Sequence, residues 1–127
     1  MAKILLIEDD SQLLDVMTAF LECEHHEITT ATNGKQGIKR LESHQFDLVI
    51  TDVLMPEQDG LSVLMWLKNQ SHRPKIIAIS GGSASFDQDY LLLMCKHLSA
   101  DKVLPKPIDF ETFTTTVREV LTGVVQE

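Results

Sequence analysis

Short apolar runs alternate along this chain with stretches of helical periodicity. Lys3 to Ile7 (KILLI) is a continuous apolar run of strand length, the pattern of a strand covered on both faces. From Ser11 to Glu22, Leu14, Met17 and Leu21 recur at the spacing of one helix face. Glu27 to Ala31 reads as a second strand, and Thr32-Asn33-Gly34 as a turn opening a short helix that buries Ile38 and Leu41. Phe46 to Thr51 (FDLVIT) is a third strand ending on Asp52, followed by a Pro- and Gly-containing loop, Val53 to Gly60. A helix over Leu61 to Asn69 leads to a fourth strand, Lys75 to Ile79, and a loop of small residues, SGGSAS. A long helix is expected over Phe86 to Leu98, and a short fifth strand over Lys102 to Leu104. Asp109 then caps a final helix with Phe110, Phe113, Val117, Val120 and Leu121 on one face.

Five strands alternating with five helices predict an α/β doubly wound parallel sheet with right-handed crossovers. In a flavodoxin-like order, 2-1-3-4-5, four of the strand ends lie side by side at the switch point where such folds place their chemistry. There is no internal repeat or linker, so residues 1–127 read as a single domain, with no output domain in this chain.

Composition narrows the classes. Hydrophobic residues at 43% and charged residues at 24% are ordinary for a globular domain. The net charge of −8 argues against direct nucleic-acid binding and against an anionic membrane surface. No stretch reaches the ~18 apolar residues of a membrane span, and the N-terminus lacks the pattern of a secretory signal. Cys23 and Cys95 form no metal or redox motif and are expected to be reduced and buried, as in a cytoplasmic protein. The five histidines have no metal-ligand spacing and are expected on the surface or in loops.

Polar residues cluster where the topology looks for them. Glu8, Asp9 and Asp10 follow strand 1, Asp52 follows strand 3, Ser80 strand 4, and Lys106 strand 5. Asp10 also suits a helix cap. Converging carboxylates repel unless a cation joins them, and an all-oxygen site suits a hard divalent ion such as Mg²⁺. A nearby lysine and hydroxyl would complete a phosphoryl-binding site.

Taken in order, EDD, DVLMPEQDG, the strand-ending Ser80 and LPKP resemble the response-regulator receiver family over essentially the whole chain. The resemblance implies a non-enzymatic phosphoacceptor switch of two-component signalling. It takes a phosphoryl group from a histidine kinase or histidine phosphotransfer protein and assists its own phosphorylation and dephosphorylation. Asp52 matches the phosphoacceptor, becoming 4-aspartylphosphate. Asp9 matches a direct Mg²⁺ ligand, Glu8 an acid acting through water, and the Leu54 backbone carbonyl a further ligand. Ser80 matches the hydroxyl that turns toward the phosphoryl group, and Lys106 the site's lysine, with a cis bond to Pro107.

Some positions depart from the family pattern. Val103 replaces the usual aromatic three residues before the lysine, Ser99 replaces a common Gly, and Gly81-Gly82 follow Ser80. Tyr90, Leu92 and Leu93 fit poorly on the buried face of their helix, and Met65 and Trp66 are left on or near the outside of theirs. An apolar surface of this kind suits a dimer or output partner, docking across the helix Phe86 to Leu98, strand 5 and the final helix. Two other readings use the same fold: a receiver-like interaction module that is never phosphorylated, and a cofactor binder using SGGSAS.

Overall fold

The computed structural model describes residues 1–53, 60–80, 96 and 100–123. Five strands form one parallel sheet: β1 (Lys3–Ile7), β2 (Glu27–Ala31), β3 (Leu48–Asp52), β4 (Lys75–Ser80) and β5 (Lys102–Pro105), in the order β2-β1-β3-β4-β5. The described helices are α1 (Ser11–Cys23), α2 (Gly34–Ser43), α3 (Gly60–Lys68) and α4 (Phe110–Thr122). Lys96 is helical; the rest of the helix expected over Phe86 to Leu98, including Tyr90, Leu92 and Leu93, lies outside the described residues. No helix among the described residues is long and apolar enough to cross a membrane.

The sheet is a wall between two cores, as strand alternation requires. On one face Ile4, Leu6, Leu48, Ile50, Ile77, Ile79 and Leu104 meet Leu14, Met17 and Leu21 of α1 and Phe113, Val117 and Val120 of α4. On the other, Leu5, Ile7, Val49 and Ala78 meet Val63, Leu64 and Leu67 of α3. Each such buried side chain contributes about 1.5–3 kcal/mol, so strands β1 and β3, buried on both faces, anchor the fold. Asp10 starts α1 by accepting from the amides of Gln12 (3.0 Å) and Leu13 (3.2 Å). Asn33 and Asp109 cap α2 and α4 in the same way.

Several expectations are corrected. Strand β3 begins at Leu48 rather than Phe46, because Asp47 turns its carboxylate to the Lys3 amide at 2.8 Å. Ile38 and Leu41 are half-buried, since Gly34 and Gly37 take the positions of α2 nearest the sheet. Cys23 is exposed: it lies about 200° around α1 from the buried Leu21, at about 100° per residue. Met65 is exposed as expected, while Trp66 is half-buried against the α3 core.

Candidate functional site

The sheet's own alternation aims three charged side chains at one place. Leu6, Ile50 and Leu104 belong to the core on the α1/α4 face. Two residues further along each strand come Glu8, Asp52 and Lys106, which continue the same rows past the end of the core. Glu8 is fully buried and Asp52 is 2% exposed. The Lys106 ammonium lies 2.7 Å from Asp52 Oδ2, to which it donates, and 2.8 Å from Glu8 Oε1. Asp9, on the surface, stands beside them. One carboxylate oxygen each from Glu8, Asp9 and Asp52 lie within 4.8 Å of one another.

Glu8 is locked from the backbone side. Its Oε2 accepts from the amides of Asp9 (3.0 Å) and Asp10 (3.4 Å), while its own amide donates to the Ala31 carbonyl at 3.0 Å. Its Oε1 is buried and faces the Lys106 ammonium without the angles of a hydrogen bond, so that contact is ionic. Burial pushes the Glu8 carboxyl up to about 7; Lys106 opposes this, while Asp9 and Asp52 add to it. Burial would lower Lys106, but its hydrogen bond to Asp52 and its ion pair with Glu8 hold it above its ordinary value. The site is short of positive charge, with three acids facing one ammonium. That deficit, and the Glu8 oxygen lacking a hydrogen-bond donor, fit a hard divalent cation bound through oxygen.

Comparison with known proteins decides the family. Residues 4–118 match the response regulator receiver domain. The chain belongs to that family. Over 121 residues it is 31% identical to the transcriptional regulatory protein CpxR of Escherichia coli K12, covering 95% of this chain and 50% of that protein. It is 30% identical over 125 residues to the response regulator ArlR of Staphylococcus aureus Mu50, covering 95% and 53%. This receiver therefore spans about half the length of the curated relatives it matches. A CheY-like receiver from Methanospirillum hungatei JF-1 has the same fold, with a TM-score of 0.87 at 23% identity, covering 97% of this chain and 95% of that one. The response regulator TrrA of Thermotoga maritima, solved in complex with Mg²⁺-BeF, has a TM-score of 0.81 at 28% identity, covering 95% and 100%. The chain is thus a receiver domain of two-component response regulators.

Of the residues singled out in the sequence, the receiver brings Glu8, Asp9, Asp52 and Lys106 together. Ser80 closes β4, paired with Pro105. The Lys106–Pro107 bond is cis. Val103 is half-buried on the opposite face, opposite Ala78 and against the α3 core. Leu54 lies outside the described residues, as does the SGGSAS loop after Ser80. One residue next to Asp52 escaped the sequence reading. Thr51 is fully buried, and its hydroxyl donates to the Asp52 carbonyl at 3.0 Å. Its signal was a hydroxyl ending an otherwise apolar strand.

Proposed function

We propose that Asp52 accepts a phosphoryl group from the phosphohistidine of a histidine kinase or phosphotransfer protein, and that the receiver signals through the resulting change. The observation that carries this reading is the Lys106 ammonium, 2.7 Å from Asp52 and 2.8 Å from Glu8. Asp52 is buried, and the Lys106 ammonium pairs with its carboxylate and holds it in one orientation. In the transfer, an Asp52 oxygen forms a bond to phosphorus as the phosphorus–nitrogen bond breaks. Lys106 can then turn from the carboxylate toward the phosphoryl oxygens, with the Ser80 hydroxyl as a further donor.

Glu8, Asp9 and Asp52, with the Leu54 carbonyl, would hold Mg²⁺. When bound, the ion neutralises charge on the transferring oxygens. Glu8 gives the cluster a carboxylate that backbone amides keep in place. The acyl phosphate adds roughly −1.5 to −2 of charge beside Lys106, and that change biases a two-state surface. We assign the output surface to β5 and α4 with the helix expected over Phe86 to Leu98, where Tyr90, Leu92 and Leu93 would meet a second copy or an output partner. Val103, half-buried against the α3 core, is smaller than the usual aromatic, so we assign the readout to that helix rather than to an aromatic switch. The proposed setting is the cytoplasm.

Incubation with a small phosphodonor, with and without Mg²⁺, followed by intact mass, tests this reading. One phosphoryl adduct that requires Mg²⁺ and disappears in Asp52→Asn is expected. Wild-type protein that binds no Mg²⁺ and gains no adduct would instead make the domain an interaction module.

A further inference from the structure

At the end of the sheet away from Asp52, the chain passes twice from a helix into a strand. Residues 44–47 carry α2 into β3, and residues 69–74 carry α3 into β4. Between these two connections lies a cavity of about 420 Å³, within the size range of small-molecule sites. The acidic cluster stands at the opposite ends of the same strands, so the phosphoacceptor chemistry makes no use of this cavity.

Its inner wall is apolar. Leu67 is buried, and Leu41, Phe46 and Trp66 are half-buried against the core on that face. Phe46 lines the cavity from the β3 side and Trp66 from α3, so two aromatic residues border one hollow. A flat ring laid against them removes apolar area from water on both partners.

The rim supplies donors. Arg73, His44 and His72 are exposed there, with the His44 ring 6.3 Å from that of Phe46. Among the described residues the ion pairs are those of Lys106 and Arg118, so Arg73 keeps its charge for another partner. Glu42 is the one acid lining the cavity. Among the described residues, the group placed to share a metal ion is Glu8, Asp9 and Asp52, not Glu42, His44 and His72. A guanidinium grips a carboxylate or phosphate through paired N–H donors, and even a neutral imidazole offers one N–H. A cation would gain from the rings but would face Arg73. A neutral ring would leave Arg73 unused.

We propose that this cavity binds a small planar aromatic anion, its ring against Phe46 and Trp66 and its carboxylate or phosphate at Arg73, His44 and His72. Such a ligand addresses the domain from the end opposite the phosphoacceptor and needs no metal ion.

Trp66 is the only tryptophan of the chain, so its fluorescence reports on this cavity alone. The full chain is titrated in chelator, which keeps a phosphate from being drawn by metal to the Glu8 cluster. The probes are adenosine monophosphate against adenosine, naphthoate against naphthamide, and inorganic phosphate. Saturable change in Trp66 emission with at least one of the two aromatic anions is expected, and which one binds separates a phosphate from a carboxylate head group. Amide shifts should centre on residues 41–46 and 66–74. The neutral counterpart should bind about tenfold more weakly, and exposed Arg73→Gln should cost the anion about tenfold, the effect of one charge-assisted contact. Inorganic phosphate should leave the emission unchanged. Saturation by neither aromatic anion would overturn the proposal. Equal binding of the neutral counterpart, undiminished affinity in Arg73→Gln, or shifts centred elsewhere would overturn it as well.

Discussion

The carboxylates of Glu8 and Asp52 face one ammonium, Lys106 Nζ, at 2.8 Å and 2.7 Å. One cation faces two acids in this buried setting, so the Asp52 charge adds to the burial that raises Glu8. Asp52 takes the hydrogen bond from Lys106, and Glu8 is the acid whose proton affinity rises.

Removing the Asp52 charge should therefore lower the Glu8 pKa. In Asp52→Asn the ammonium is left to Glu8, and the repulsion that helps push Glu8 up to about 7 is gone. Carboxyl carbon shifts of Glu8 followed through a pH titration should show its midpoint falling toward the ordinary 4.5. A midpoint unmoved by the substitution would mean that burial alone sets it.

The same group fixes the sign of a pH effect on stability. Folded Glu8 titrates at about 7, above the ordinary 4.5 that the unfolded chain retains. Its contribution is therefore fully present below 4.5 and is lost as pH rises through about 7, amounting to a few kcal/mol at most. Urea midpoints of protein in chelator should accordingly be lower at pH 8 than at pH 6, and Mg²⁺ should narrow that gap by favouring ionised Glu8. A midpoint that rises from pH 6 to pH 8 in chelator contradicts the assignment.

Gly37→Ala should destabilise the fold, although alanine is the better helix former by about 1 kcal/mol. A Cβ at this position would run into Ile7 Cδ1 and stand 3.1 Å from Cγ1. Ile7 is fully buried between β2 and β3, so its side chain has little room to give way. A net loss of roughly 1–2 kcal/mol in chemical denaturation is expected, with partial recovery in Ile7→Val/Gly37→Ala. Equal or higher stability in Gly37→Ala would show that α2 can move off the sheet.

Much of this was legible in the sequence, for identifiable reasons. Strands β1 and β2 have the bounds read from the chain, because an apolar run and a Thr-Asn-Gly turn mark them locally. The convergence of Glu8, Asp9, Asp52 and Lys106 was also readable, since parallel topology fixes which strand ends are neighbours. Close contacts between distant segments were not. The approach of Gly37 to Ile7 depends on how α2 lies on the sheet, and neither residue alone signals it. Cys23 looked like a core residue by type, but its place on α1 exposes it. The sequence likewise could not say that Glu8 would be the buried partner of Lys106, because that depends on the Asp9 and Asp10 amides folding back onto it.

The most direct measurement locates the phosphoryl group itself. After reaction with a small phosphodonor and Mg²⁺, borohydride reduction converts an aspartyl phosphate to homoserine, and peptide mass mapping identifies the position. Homoserine at residue 52, absent when Mg²⁺ is withheld, is the expected result. Modification at Asp9 or Glu8 instead, or no reduction product in protein that binds Mg²⁺, would contradict the assignment of Asp52 as the acceptor.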